Sequence, residues 1–494
     1  MNVQTSPVQP PRTLGSFLAA PAESAGIAIA GLCADSRSVQ PGDAFIALRG
    51  ARHDGLAHLA EVHARGAVAV LVEKERVMPE SAPLPLVPVE NLASRAGAIA
   101  ATFYGDPSRH LDVIGVTGTN GKTTTTQMIA QALLHAGMPC GVIGTLGCGF
   151  PGQLRDTSHT TPDAVTLQRL LADLRREGAR AVAMEVSSHA LALGRVEALH
   201  IDTAVFTNLT HDHLDFHGSI EAYGAAKARL FTHPGLRHAV VNLDDPFGRH
   251  IHAMLDEGIE RTGFSIGGNG ANIRAAEVEY RSNGIRARVE ARGEEGELRL
   301  PLVGRFNLEN ALAVTGALLA RGMPLAEVLS ALAAVRPVAG RMERVGDTPL
   351  VLVDYAHTPD ALEQSLRAAR AHCRGRLWCV FGCGGDRDRS KRPLMGRIAR
   401  EHADEVVVTS DNPRSEDPLA IIAGICDGIP DRGVIREADR RAAIFRAIGD
   451  AGPADCVLIA GKGHENYQES AGIRLAFSDA TVAREALAAR RGQS

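Results

Sequence analysis

Short apolar runs of strand length recur along this chain, each closing on a glycine or polar loop and each followed by an Ala- and Leu-rich stretch of helical length. From Leu111 onward they read DVIGVTG, AVAMEV, TAVFTN and HAVVNL; beyond Gly340-Arg341 they read LVLVDY, LWCVFG, EVVVTS and CVLIAG. A run apolar at nearly every position suits a strand buried on both faces, and strands separated by helices pair in parallel because the crossover returns the chain to the same end of the sheet. The pattern predicts an α/β chain of mostly parallel sheets covered by helices. Ligands of such sheets bind beyond the carboxyl ends of the strands, so the loops after each run are the places to look for chemistry.

The same reading divides the chain. IAIAGL, DAFIAL and AVAVLV, with a helical stretch near His58 to Arg65, predict a small α/β domain, and a helix over Asn91 to Tyr104 leads into the turn formers Gly105-Asp106-Pro107-Ser108. Ala271 to Leu302 predicts a β-rich excursion around Ser282-Asn283-Gly284, followed by helices through Val335. A length of 494 residues suits about three domains, and we place them at 1–107, 108–339 and 340–494. The Pro- and Gln-rich first dozen residues are expected to be mobile.

Composition excludes several classes of function. A net charge of -4 and 4% aromatic residues supply neither the field nor the stacking surface for nucleic acid or an acidic membrane. The eight cysteines stand singly, with no CxxC pair or zinc spacing, as buried thiols in a reducing compartment do. The N-terminus lacks the basic start and apolar run of a signal peptide, and no apolar stretch approaches the ~20 residues that span a bilayer. A cytoplasmic, monomeric protein without nucleic-acid or membrane partners is expected.

Gly118-Thr119-Asn120-Gly121-Lys122-Thr123-Thr124 lies between the strand VIGV and the helical run TQMIAQALLHAG. Strand, Gly-rich turn and helix in that order make a phosphate cradle. Backbone N–H groups and the helix N-terminus face the anion, Lys122 reaches the terminal phosphates of ATP, and Thr123 can ligate magnesium. The usual pattern has Gly five positions before Gly121, where this chain has Val116. A turn that merely capped a helix would account for the glycines but not for Lys122-Thr123.

Three further segments follow in order: MEVSSH around Glu185, NLTHDHLD around His213, and AAKARLF around Lys227. With the phosphate loop they resemble the Mur ligases, ATP-dependent enzymes that join a carboxylate to an amine, and the resemblance covers nearly the whole chain. It implies a central P-loop ATPase-like domain that binds ATP, a C-terminal Rossmann-like domain that binds the amino acid, and a small N-terminal α/β domain that binds the UDP end of the acceptor. It further implies that Thr123 and Glu185 hold one Mg2+ and His213 a second, and that Lys227 is carbamylated to N6-carboxylysine. A carbamate turns a cation that would repel metal into a carboxylate that helps hold it, and the lysine must be neutral to react. The catalytic group so implied is Lys122, Glu185, His213 and Lys227. Asn242, Asn307, Asn310, Arg341 and Asp354 match nucleotide contacts, which implies that ATP lies between domains whose closure excludes water from a hydrolysable acyl phosphate.

The loop Asp411-Asn412-Pro413-Arg414 resembles that of family members adding meso-2,6-diaminopimelate to UDP-N-acetylmuramoyl-L-alanyl-D-glutamate. A guanidinium pairs bidentately with the carboxylate on the far end of diaminopimelate, a group lysine lacks. Arg387, Gly461 and Glu465 match further amino-acid contacts, with Glu465 suited to an ammonium. Asp35-Ser36-Arg37 and Asp54-Gly55 resemble the uridine segment, and Thr160, Thr161, Ser187, Leu193 and Arg195 fall at positions that hold the muramoyl peptide. Ala51-Arg52, His159 and Leu193 depart from the usual residues there. His357 and His464 are candidates to take the amine's proton or to orient loops. A lysine-adding sibling, a folylpolyglutamate synthetase and a non-catalytic nucleotide-binding regulator are the competing readings; Arg414 argues against the first and the catalytic group against the last.

Overall fold

The computed structural model describes residues 11–50, 54–77, 79, 81–157, 159–268, 270–429 and 433–492. Met1 to Pro10 and the departures at Ala51 and Arg52 lie outside the described residues. The chain forms two compact units, one built mainly from residues 1–265 and the other mainly from 273–312 and 324–494.

The first unit opens with a four-stranded parallel sheet, β1 (Gly31–Cys33), β2 (Asp43–Ile46), β3 (Ala69–Glu73) and β4 (Leu86–Val89), in chain order. The helix α1 (Leu92–Tyr104) ends on Gly105 in the left-handed conformation. A larger sheet follows: β5 (Asp112–Thr117), helix α2 (Lys122–His135), β6 (Cys140–Gly144), β7 (Gly147–Phe150), β8 (Gln153–Arg155), helix α3 (Ala164–Arg176), β9 (Ala181–Glu185), β10 (Thr203–Phe206), helix α4 (Ile220–Ala228), β11 (His238–Asn242), helix α5 (Pro246–Met254) and β12 (Glu260–Ile266). The strands run in the order β8-β7-β6-β9-β5-β10-β11-β12 and pair in parallel from β6 onward. One core binds both sheets of this unit, because Leu92, Ile99 and Phe103 of α1 pack in a common cluster with Val165 and Ala172 of α3. Asp163 caps α3 by accepting from the N–H groups of Val165 and Thr166, which satisfies two of the donors a helix start leaves open.

In the second unit the expected β-rich excursion is an antiparallel meander, β13 (Ile273–Arg281), β14 (Gly284–Ala291) and β15 (Glu294–Leu300), turning at Ser282-Asn283 as the sequence predicts. Helix α6 (Arg305–Leu319) comes next, its residues from Ala313 onward counted with the first unit. The last sheet contains β16 (Glu343–Asp347), β17 (Leu350–Asp354), β18 (Leu377–Phe381), β19 (Glu405–Val408), β20 (Val434–Arg436) and β21 (Cys456–Ala460), in the order β16-β17-β21-β18-β19-β20. All pairs but β16–β17 are parallel. Leu350 and Leu352 of β17 enter the core on one face with Leu366, Phe381 and Met395, while Val351 and Val353 enter the other with Trp378, Ile444 and Leu487. This two-faced burial explains why the run is apolar throughout.

Seven of the eight cysteines are buried and all are free thiols, as expected. Among the described residues no helix is long and apolar enough to cross a membrane.

Candidate active site

Parallel pairing sets the carboxyl ends of β5 and β9 side by side, with Glu185 opposite Val116, so the phosphate loop and Glu185 leave neighbouring strands. Gly118 is left-handed in φ, at +148°, and a Cβ there would lie 1.9 Å from Thr207 Oγ1, so the loop has room only for glycine. The loop is laced to the segment after β10. Thr119 N donates to Asn208 O (2.8 Å), Asn120 N to Asn208 Oδ1 (2.9 Å), and Thr207 Oγ1 to Asn120 O (2.6 Å).

Two lysines meet on this loop. Lys122 Nζ donates to Gly118 O and Thr119 O, each at 2.9 Å, and Lys227 Nζ, from α4, donates to the same Gly118 O at 2.7 Å. Lys227 is 1% exposed and lies 4.3 Å from the Tyr223 ring centroid. Burial, reinforced by the Lys122 charge, holds its ammonium well below the ordinary lysine range. Lys227 is thus a desolvated, cation-flanked lysine, an environment that favours the unprotonated amine.

Glu185 is equally buried, and its carboxylate accepts from Thr145 N (2.8 Å) and Thr145 Oγ1 (3.2 Å) without a basic partner among the described residues. A buried carboxylate lacking a countercharge is costly, so the donor set fits a divalent cation. Thr123 is buried at the start of α2 beside the loop. His213 stands apart in character: it is exposed, left-handed at φ +54°, and its Nε2 is 3.5 Å from Asp212 Oδ2. No group of three or more His, Cys, Asp or Glu residues forms a metal cage among the described residues, and Lys227 Nζ is turned to Gly118 O. The cation-binding fit rests on Glu185 and Thr123.

The residues matched to the muramoyl peptide do converge. Thr161 Oγ1 donates to Glu185 O (2.8 Å) and accepts from Ser187 N (3.0 Å), Arg195 Nη1 donates to Thr161 O (2.8 Å), and the hydroxyls of Thr145 and Thr160 are 3.0 Å apart. Leu193 is 57% exposed and joins none of these contacts. Asp35 caps the turn holding Ser36, and its carboxyl is lowered chiefly by Arg37, with a smaller contribution from His159. Asp54 pairs with Arg76, which brings its carboxyl down to about 2.

The matched asparagines are turned inward. Asn242 Nδ2 donates to Thr207 O, Asn307 Nδ2 to Val303 O, and Asn310 Nδ2 to Asn307 Oδ1, all three residues being buried. Asp354 accepts from Met342 N, Ala356 N and Ser365 Oγ. These side chains shape loops, and the sequence pattern could not tell shaping from direct contact. Arg341 stacks 4.7 Å over the Tyr355 ring.

In the second unit, loops leave the carboxyl ends of four adjacent strands, β17, β21, β18 and β19. Asn412 joins two of them: its Nδ2 donates to Glu465 Oε2 (2.8 Å) and its Oδ1 accepts from Lys462 Nζ (3.0 Å) and Glu469 N (2.9 Å). Lys462 is fully buried, also bonding Glu465 Oε2 (3.1 Å) and lying 3.8 Å from Asp411 Oδ1. Burial pushes the Asp411 carboxyl up, against the pull of Arg440 and Lys462. Gly461, at φ +117°, passes so close to Asp411 that a Cβ would lie 2.5 Å from its Oδ2. Arg414 has φ +52°, a conformation costing a non-glycine residue about 1 kcal/mol or more. It is held there by Arg414 N to Glu469 O (3.0 Å) and Ala471 N to Arg414 O (2.6 Å). Its Nη1 reaches Gly385 O (2.7 Å), on the loop that carries the exposed Arg387.

His357 Nδ1 is engaged with Tyr355 O (2.9 Å), whereas His464 Nδ1 is buried without a hydrogen-bond partner. Sequence reasoning gave no role to Thr145, Tyr223, Asn208 or Lys462. Asn208 lies in the quoted NLTHDHLD segment and Lys462 stands between two glycines in a strand-end loop, whereas Thr145 and Tyr223 carried no signal.

Residues 28–104 match the Mur ligase family catalytic domain, 116–318 the Mur ligase middle domain, and 340–463 the Mur ligase glutamate ligase domain. The chain is 54% identical over 473 residues to the UDP-N-acetylmuramoyl-L-alanyl-D-glutamate--2,6-diaminopimelate ligase of Ectopseudomonas mendocina (strain ymp), covering 95% of this chain and 97% of that one. It is 53% identical over 464 residues to the protein of the same name from Pseudomonas aeruginosa, covering 93% and 95%. A solved structure of a ligase of that name aligns with a TM-score of 0.72 at 36% identity, over 97% of this chain and 99% of that one.

Proposed function

This chain belongs to the Mur ligase family, and from that membership we propose how its own residues join 2,6-diaminopimelate to UDP-N-acetylmuramoyl-L-alanyl-D-glutamate at the expense of ATP. The reaction is a step of peptidoglycan precursor synthesis, and through the wall it bears on cell shape and division. The breaks between matched family segments support the division at 107/108 and 339/340. We assign the enzyme to the cytoplasm as a monomer, and its diaminopimelate as the meso form.

The γ-carboxylate of the D-glutamyl residue attacks the γ-phosphorus of ATP; ADP leaves and an acyl phosphate forms. The amine of diaminopimelate then attacks the acyl carbon, and the tetrahedral intermediate expels phosphate. The first step brings two anions together. Lys122, which bonds its own loop, exchanges those carbonyls for phosphate oxygens and offsets that charge, while the N–H groups of the Gly118–Thr124 loop cradle the phosphates. Thr123, Glu185, His213 and a carbamylated Lys227 would hold Mg2+, which supplies charge neutralisation at the phosphates. Thr160, Thr161, Ser187 and Arg195 position the acceptor, and Ser36 its nucleotide end.

Diaminopimelate is held by Arg387, Asp411, Asn412, Pro413, Arg414, Gly461 and Glu465. The observation that carries this reading is the Asn412 bridge. It couples the loop bearing the cationic Arg414 to the loop bearing the anionic Glu465, and so offers opposite charges to a zwitterion. Phosphate release from ATP and the UDP-muramoyl dipeptide, with diaminopimelate or lysine as amine, tests it. Lys122→Ala should abolish turnover, and Arg414→Ala should cut the diaminopimelate rate at least ten-fold more than the lysine rate. Equal losses for the two amines would overturn the assignment.

A further inference from the structure

The amino ends of the central strands, at the opposite end of the sheet from the phosphate loop, border an open cavity of about 650 Å³. It is bordered by residues at or just before five strands: Asp112 of β5, Met138 before β6, Arg180 before β9, Asp202 before β10 and Arg237 before β11. Arg109, His110 and Arg175 complete its cationic wall.

Its charges divide unequally. Asp202 is neutralised, with Arg237 Nη2 at 2.5 Å and Val113 N donating to its other oxygen at 2.9 Å, and Asp112 is paired to Arg321. The guanidinium groups of Arg109, Arg175 and Arg180 have no hydrogen bond or ion pair among the described residues. All three are exposed, as are other arginines without a partner among the described residues, such as Arg387 and Arg397; what sets these three apart is that they border one concavity. Three unpaired guanidinium groups around one concavity, in a chain of net charge -4, leave a local excess of positive charge. Each offers a planar fork matched to phosphate or carboxylate oxygens. The volume suits a small molecule rather than a chain segment.

We propose that this cavity is a second anion site, for a compact polyanion bearing two or more phosphate or carboxylate groups, separate from the nucleotide site. The test is isothermal titration of the intact chain, its nucleotide site saturated with ADP, using inorganic pyrophosphate in one arm and citrate in the other. At least one should bind, and Arg109→Ala/Arg175→Ala/Arg180→Ala should weaken that binding at least ten-fold while ligase turnover stays unchanged. The arm that responds identifies phosphate or carboxylate as the preferred group. Arg175→Gln/Arg180→Gln, which keeps side-chain bulk, should reproduce the loss if the triple variant folds poorly. No binding in either arm, or equal isotherms for wild type and variants, overturns the proposal and leaves the ligase assignment untouched.

Discussion

Lys227 and Lys462 are both buried lysines, yet their surroundings differ. Lys227 faces a carbonyl, a tyrosine ring and a second lysine, so nothing at contact distance balances its charge and burial favours the neutral amine. Its pKa lies below that of the unfolded chain, so in the window between the two values the unfolded state binds more protons and stability rises with pH. The same depression enlarges the share of unprotonated amine able to attack carbon dioxide. Enzyme assayed after removal of carbon dioxide should therefore lose activity and regain it on adding bicarbonate, with a carbon dioxide adduct on Lys227 in intact-protein mass spectra. Activity indifferent to bicarbonate, with no adduct, would refute the carbamate. Lys462 instead sits among Asp411, Asn412 and Glu465. We expect it to position the two amino-acid loops rather than touch the reacting atoms. Lys462→Met should raise the KM for diaminopimelate at least ten-fold while changing the KM for ATP less than two-fold; an equal change in both would mean general damage to the fold.

At the scale of elements, a buried ion pair fastens the loops that begin at Asp411 and Gly461 to the strands below them. Arg440, at the start of the helix Arg440–Asp450, makes two 2.7 Å bonds to Asp479, at the start of the helix Asp479–Arg491. Its remaining donors reach Ser410 O (3.2 Å) and Ala460 O (3.0 Å), the residues immediately before Asp411 and Gly461. One guanidinium thus ties two helix starts to the ends of β19 and β21. Removing one partner strands a buried charge, which costs about 3–5 kcal/mol. Asp479→Ala should lower unfolding stability by that amount in urea titrations, and a loss below about 1 kcal/mol would show that the pair contributes little. The pair also explains why the strained Arg414 has a firm base from which to project.

For the whole molecule, the loop proposed to bind nucleotide and the loops proposed to bind the amino acid belong to different compact units, so their binding defects should separate. ADP at one hundred times its dissociation constant stabilises the state that binds it by about 2.7 kcal/mol. Thermal unfolding should shift upward with ADP in the wild type and in Arg414→Ala, but not in Lys122→Ala. A lost shift in Arg414→Ala would contradict the assignment of that residue to the amino acid.

The alternation of apolar runs and helices, read from the sequence alone, already determined an α/β chain, the place of its strands and the loops where chemistry sits. A strand buried on both faces must be apolar throughout, and a phosphate loop must spell its glycines and lysine contiguously. The motifs that carry the proposed catalytic and substrate residues, from Gly118 to Glu465, were legible for the same reason. Only the tertiary structure could decide which of them touch. It turned Asn242, Asn307, Asn310 and Asp354 onto neighbouring backbone and side-chain groups, set Lys227 against Gly118 across 109 positions, and paired Arg440 with Asp479 across 39. Such contacts depend on burial and strand order, which bring distant residues together and leave no periodic mark in the sequence.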